Sequence, residues 1–214
     1  MPVRAKICGV NSAAAMDAVA AGDAAFVGLM FVPRSPRYVT MAAAKELAAM
    51  VPRAILRTGV FLDPTDALLD EVLAALPLDV IQLHGSETPA RVAEVKARTK
   101  RAVMKAVSVG SAADVAGARA FEAVADWLLF DAKPPKNSAL PGGNAVAFDW
   151  TLLAGSCWKR PWMLSGGLIP DNVGAAVAAT GATVVDVSSG VEDSPGRKSP
   201  IRIKQFLETV RGLK

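Results

Sequence analysis

The sequence predicts an α/β protein folded as one (β/α)8 barrel, a TIM barrel, over residues 1–214. Three observations carry that expectation. Short β-rich apolar runs alternate strictly with Ala-, Leu-, Glu- and Lys-rich amphipathic stretches, and this alternation implies a parallel sheet, because parallel neighbours need crossover helices. Eight such units in 214 residues come to about 27 residues each, close to the smallest barrels of this class. Polar and reactive residues also collect where the strands end, as they would around a single barrel mouth. An open doubly wound sheet would have about six strands and a Gly-rich first turn. The first turn here is Cys8-Gly9-Val10-Asn11, which is no dinucleotide fingerprint.

The first strand is expected at Val3–Cys8, before a helix over Ser12–Ala21 capped by Asn11 or Ser12. The second, Ala25–Phe31, precedes Met41–Met50, which follows the cap-type residue Thr40. The third, Ile55–Phe61, precedes Asp66–Leu76, where Leu68, Leu69, Val72 and Leu76 recur at helical spacing. The fourth, Val80–Leu83, precedes Thr88–Arg98, a cap followed by a first-turn proline. The fifth, Ala102–Val107, precedes the Ala-rich stretch Ala112–Glu122. After the sixth, Trp127–Asp131, comes a long Pro/Gly-bearing segment, Ala132–Ala147, and then a short helix at Phe148–Leu153. A loop of that length is usually functional. The seventh, Trp162–Ser165, precedes a helix over Asp171–Ala179 with Asp171 able to cap. The eighth, Thr183–Val187, precedes the closing helix Pro200–Arg211.

Composition removes several function classes. Lys and Arg number 24 against 20 Asp and Glu, a net charge of +4, and 52% of residues are hydrophobic. The basic residues are scattered and only 6% are aromatic, so neither a nucleic-acid tail nor a base-stacking platform is expected. The longest stretch without Asp, Glu, Lys or Arg, Asn172–Val185, is too short to span a bilayer. Arg4 and Lys6 interrupt the first apolar stretch, unlike a secretory signal, so a cytoplasmic protein is expected. Cys8 and Cys157 are expected as free thiols. One histidine, with no CxxC or HExxH, argues against structural zinc, and a carboxylate-bound magnesium stays open. The modest positive balance suits an enzyme that attracts small anionic molecules.

Side chains alternate along a strand, so Lys6 and Cys8 share a face, as do Gln82 and His84, and Asp186 and Ser188. Lys6 beside Cys8 would stabilise the thiolate and lower the thiol pKa, making Cys8 a candidate nucleophile or proton acceptor. Asp131 follows an apolar run that would desolvate it and raise its pKa, so it is the best acid candidate. Arg37, stiffened by Pro36, presents a fork suited to a carboxylate or phosphate. His84 and Asp186 are candidate site groups, and Asp186 could orient backbone or substrate. Ser165-Gly166-Gly167 and Ser188-Ser189-Gly190 follow strands seven and eight, the usual phosphate position in barrels.

Taken together, several segments resemble the phosphoribosylanthranilate isomerase family of tryptophan biosynthesis. They are Lys6-Ile7-Cys8-Gly9, Ser35-Pro36-Arg37-Tyr38-Val39, Gln82-Leu83-His84-Gly85, Phe148-Asp149-Trp150, Ser165-Gly166-Gly167-Leu168 with Pro170 and Asn172-Val173, and Asp186-Val187-Ser188-Ser189-Gly190-Val191-Glu192. The resemblance spans nearly the whole chain. It implies a cofactor-independent Amadori rearrangement of N-(5-phosphoribosyl)anthranilate to 1-(2-carboxyphenylamino)-1-deoxyribulose 5-phosphate. By the same resemblance Cys8 is the general base and Asp131 the general acid. Arg37 holds the anthranilate carboxylate, and Gly166, Gly167, Ser189 and Gly190 belong to the phosphate loops. His84 and Asp186 line the site, and the protein is a monomer or homodimer. The chain departs from the family pattern at Gly142-Gly143-Asn144-Ala145, where Gly-Gly-Thr-Gly is common, and at Ala132, where a small hydroxyl residue is frequent. It also has Lys198-Ser199-Pro200 in place of Lys-Asp-Pro, which puts Ser199 at a cap where Asp is usual.

Two other readings compete. A different sugar-phosphate isomerase barrel is disfavoured by the single histidine, too few for a metal-dependent epimerase. Cys8 stands where the imidazole-pathway enzyme would have an aspartate. A non-catalytic phosphate-binding barrel predicts that Cys8 and Asp131 are dispensable.

Overall fold

In the computed structural model, residues 2–133 and 148–213 are described. Eight strands form a closed barrel in chain order: β1 (Arg4–Cys8), β2 (Phe26–Met30), β3 (Leu56–Phe61), β4 (Val80–Leu83), β5 (Ala102–Val109), β6 (Trp127–Ala132), β7 (Trp162–Leu164) and β8 (Val184–Val187). Every neighbouring pair is parallel, and β1 closes on β8 with Lys6 opposite Asp186. All eight expected strands are present, with ends shifted by a residue or two.

The α-helices are α1 (Ala13–Ala21), α2 (Met41–Met50), α3 (Asp66–Ala75), α4 (Pro89–Thr99), α5 (Ala112–Gly117), α6 (Pro170–Thr180) and α7 (Pro200–Arg211). Their starts are chemically explicit. Ser12, Thr40, Thr65, Thr88 and Ser111 each accept a first-turn backbone N–H, the contact that makes these residues good caps.

Three expectations need correction. Among the described residues of the sixth crossover, the expected short helix is a 3-10 turn, Trp150–Leu153. Asp171 does not cap α6. The cap is Ile169, Pro170 takes the first helical position, and Asn172 Oδ1 accepts the Ile169 N–H at 2.8 Å. Ser199 is the residue before α7, but its side chain makes no capping hydrogen bond. An unexpected hairpin, β9 (Glu192–Ser194) with β10 (Arg197–Lys198), follows β8. The expected loop over Ala132–Ala147 lies outside the described residues from 134 onward, including the departure at Gly142–Ala145.

Two apolar layers hold the barrel. Outward residues such as Ile7, Val27, Leu83, Phe130 and Val185 pack against the helices. Inward residues Phe26, Val80, Met104, Ala106, Leu129, Met163 and Val184 fill the lower barrel. Each fully buried Leu, Ile or Phe contributes roughly 1.5–3 kcal/mol. This packed floor confines the polar inward positions to the C-terminal mouth, where barrel sites form.

Candidate active site

Period-two alternation turns Lys6 and Cys8 of β1, Asp131 of β6 and Asp186 of β8 into the barrel, with Gln82 of β4 and His84 just past its end. All but His84 are buried, and His84 is half-buried. In the strand order β1 and β6 are separated by β7 and β8 on one side, so Cys8 and Asp131 face the mouth from different walls. The barrel turns these side chains toward one mouth.

Lys6 Nζ donates to Asp186 Oδ1 at 2.8 Å, and Ser165 Oγ donates to Asp186 Oδ2 at 3.2 Å. Burial opposes the Lys6 charge, but Asp186 and then Cys8 outweigh it and hold the ammonium above its ordinary value. The expectation for Cys8 is corrected in sign. Burial pushes the thiol up, and the opposing pull of Lys6, helped by Lys198, does not overcome it, while Asp186 adds to the rise. The nearby lysine does favour the thiolate, as argued from spacing, but desolvation is the larger effect. Gly28, beside Cys8 on β2, leaves the sulfur its space: a Cβ there would lie 3.1 Å from Sγ. Cys157 is a free, exposed thiol.

Asp131 Oδ1 accepts the Ala132 N–H at 2.9 Å. His84 Nε2 stands 3.3 Å from Asp131 Oδ2, without the alignment of a hydrogen bond. The other ring nitrogen, Nδ1, pairs with Gln82 Nε2 at 2.9 Å.

Arg37 is buried with its fork turned to a protein carboxylate: Nε donates to Glu192 Oε1 at 2.7 Å and Nη2 to Oε2 at 2.9 Å. Lys198 Nζ donates to the same Glu192 Oε1 at 2.7 Å, to the Ser188 carbonyl at 2.8 Å and to Ser188 Oγ at 3.2 Å. Ser188 Oγ in turn donates to the Cys8 carbonyl at 3.1 Å. Two cations around one carboxylate leave a positive excess beside the mouth, where an anionic substrate group would gain from it. Sequence reasoning missed Glu192 and Lys198 as site-building residues. The signal was faint, because Arg197-Lys198 reads as a surface pair.

Burial raises the Glu192 carboxyl, but Arg37 and Lys198 outweigh it and hold it below the usual carboxylate range. A carboxyl depressed on folding contributes stability above its unfolded pKa and loses it as pH falls through the folded value. We expect Glu192→Gln to cost about 3 kcal/mol at pH 7, as for breaking a buried ion pair. The gap to the unsubstituted protein should narrow as pH falls below the ordinary glutamate range and through the lower folded value. Urea unfolding at pH 7 and pH 3 measures this, and an equal gap at both would contradict it.

The glycine loops meet in backbone contact. Gly166 and Gly167 have φ of +90° and +64°, values that favour glycine. A Cβ at Gly166 would come within 2.8 Å of the Ala132 nitrogen, beside the acid. Gly190 permits no side chain at all, since a Cβ there would fall 1.9 Å from the Leu168 carbonyl oxygen. Ser189–Val191 forms a 3-10 turn. Among the described residues, the Gly166 and Gly167 amides have no acceptor.

Among the described residues no group of three or more His, Cys, Asp or Glu converges as a metal would require. No helix among them is long and apolar enough to cross a membrane.

Comparison with known proteins bears on the chain as a whole. A family model described as N-(5'phosphoribosyl)anthranilate (PRA) isomerase matches residues 5–209. A relative from Rhodospirillum centenum, N-(5'-phosphoribosyl)anthranilate isomerase, is 56% identical over 214 residues, covering 100% of both chains. The crystal structure of phosphoribosyl anthranilate isomerase from Thermotoga maritima superposes with a TM-score of 0.88 at 33% identity, covering 99% of this chain and 100% of that one. A further such crystal structure is in complex with reduced 1-(o-carboxyphenylamino)-1-deoxyribulose 5-phosphate. It gives a TM-score of 0.83 at 31% identity, with 99% and 100% coverage. With a family model matched over residues 5–209 and a relative 56% identical over the full length, the chain belongs to the N-(5'-phosphoribosyl)anthranilate isomerase family.

Proposed function

We propose that the chain rearranges N-(5'-phosphoribosyl)anthranilate in tryptophan biosynthesis with Cys8 as general base and Asp131 as general acid. Family membership carries the reaction. The residue roles rest on one observation: the only described cysteine turned into the barrel and a buried aspartate stand on two walls of one mouth.

Opening the ribose ring needs a proton on the ring oxygen, supplied by Asp131 in its protonated form. Opening creates an iminium at C1, which acidifies the C2 hydrogen. Cys8 takes that proton as thiolate, and the enolamine tautomerises to the ketone. A raised thiol pKa means the resting sulfur is mostly protonated at neutral pH. The developing iminium charge favours its ionisation, and a thiolate of higher pKa is the stronger base. Asp186 keeps Lys6 charged beneath the sulfur.

The ends of the substrate are held separately. The Gly166 and Gly167 amides, with the Ser189–Gly190 turn, receive the phosphate. Arg37, its plane fixed by Glu192, supplies positive charge to the anthranilate carboxylate. Such two-point fixing orients the sugar between acid and base. The product analogue bound to the relative is a phosphorylated carboxyphenyl compound, the ligand shape these two anion sites require.

Loss of substrate fluorescence on adding the purified protein tests the activity, and no loss would refute it. Arg37→Met should raise KM by at least ~10-fold, the loss of one charge-assisted contact. Arg34→Met, at an exposed position, should change KM little. Equal effects would undo the carboxylate assignment.

A further inference from the structure

Asp131 does not face the sugar alone. His84, the one histidine of the chain, sits just past β4 with Nε2 3.3 Å from Asp131 Oδ2. Asp131 Oδ1 is already committed to the Ala132 N–H, so Oδ2 is the oxygen left to carry and release a proton. Gln82 Nε2 is 2.9 Å from His84 Nδ1. With the Gln82 amide in this orientation its N–H donates to Nδ1, which places the proton of a neutral ring on Nε2 and leaves the buried Gln82 Oε1 without a partner. That N–H lies beside the acid without being aligned with it.

The loop bearing His84 is fixed from outside the barrel. Lys105 Nζ donates to the Gly85 carbonyl at 2.7 Å and to Glu87 Oε2 at 2.8 Å. Glu87 in turn accepts the Gly85 and Asp63 amides. A buried ion pair of this kind leaves the imidazole little freedom to turn away.

We propose that His84, with its tautomer set by Gln82, is a positioning residue that receives the carboxylate Asp131 becomes on giving up its proton. This rests on the reading of Asp131 as the general acid. In this structure Nε2 and Oδ2 lie close but unaligned, and a protonated carboxyl is only a weak acceptor. As the proton moves to the ring oxygen, Oδ2 becomes a charged and much stronger acceptor for Nε2–H. Both carboxylate oxygens are then hydrogen-bonded, Oδ1 by Ala132 and Oδ2 by His84. The interaction is stronger in the transition state than before it, so it acts on kcat rather than on substrate affinity.

His84→Ala should therefore lower kcat about 10–100-fold, the range for a hydrogen bond to a charged group, with KM within about threefold. His84→Gln can present an amide N–H near the Nε2 position and should recover part of the loss. Nitrogen-15 NMR of the single histidine should show the Nε2–H tautomer, and Gln82→Leu should lose that preference together with several-fold in kcat. An Nδ1–H tautomer, or His84→Ala with near-normal kcat, would overturn the proposal. A His84→Ala loss confined to KM, or one that His84→Gln does not relieve, would also overturn it. If Asp131→Asn is itself harmless, the acid assignment fails; if only the His84 variants are harmless, this inference fails alone.

Discussion

Cys8→Ala is expected to lower kcat by about 10²–10⁴-fold, the range for removing a positioned general base. The substitution removes one sulfur atom from a buried site and adds nothing that could clash. Lys6 and Asp186 stay where they are, since they anchor each other. Affinity for the reduced product analogue should change by no more than a few-fold, because the base acts on the C2 proton and holds neither anionic end. Steady-state assay with analogue inhibition separates the two effects. A variant that turns over near-normally would remove Cys8 from the mechanism.

Asp131→Asn is expected to cost a similar factor, at least ~10² in kcat. Asparagine keeps the shape of the side chain and an oxygen able to accept the Ala132 N–H, but an amide cannot serve as a carboxylic acid. Ring opening then lacks its proton donor while the sugar still binds. The two losses should not multiply in the double variant. With either proton transfer blocked the reaction stalls, and residues acting as a unit are strongly non-additive. A normal rate for Asp131→Asn would leave the ring oxygen without a donor and would require another acid.

Much of this site could be read from the chain alone, for a definite physical reason. Strand alternation has period two, so Lys6 with Cys8 and Asp186 with Ser188 were bound to share faces once the strands were located. Double glycine after the seventh strand likewise marks a backbone that must bend where Cβ atoms do not fit. What stayed hidden depends on long-range pairing. The Arg37–Glu192–Lys198 cluster joins residues 155 positions apart at one contact, and local pattern carries no trace of it. Arg37 alone suggests a carboxylate partner, but not that a carboxylate of the protein itself fixes its plane.

The sign of the Cys8 shift shows the same limit. Spacing identifies the neighbouring cation but does not weigh it against burial, which needs the closed barrel. Ser199 and Asp171 fail as caps because the chain reaches α7 and α6 from packed loops whose backbone direction is set elsewhere: the Ser199 N–H is tied to Val191 and that of Ile169 to Asn172. Lys105 is another case. A lysine within an apolar strand is a signal of a buried partner, but only the fold reveals that the partner is Glu87 and that the pair fixes the loop of His84.

The central claim, that a sulfur and a carboxyl reach the same sugar, is tested most directly by a crystal structure of this protein with the reduced product analogue bound. The account predicts the sugar within about 3–3.5 Å of both Cys8 Sγ and Asp131 Oδ2, a reactive approach, with its phosphate on the Gly166–Gly167 amides. A ligand whose sugar lies out of reach of either group would contradict it.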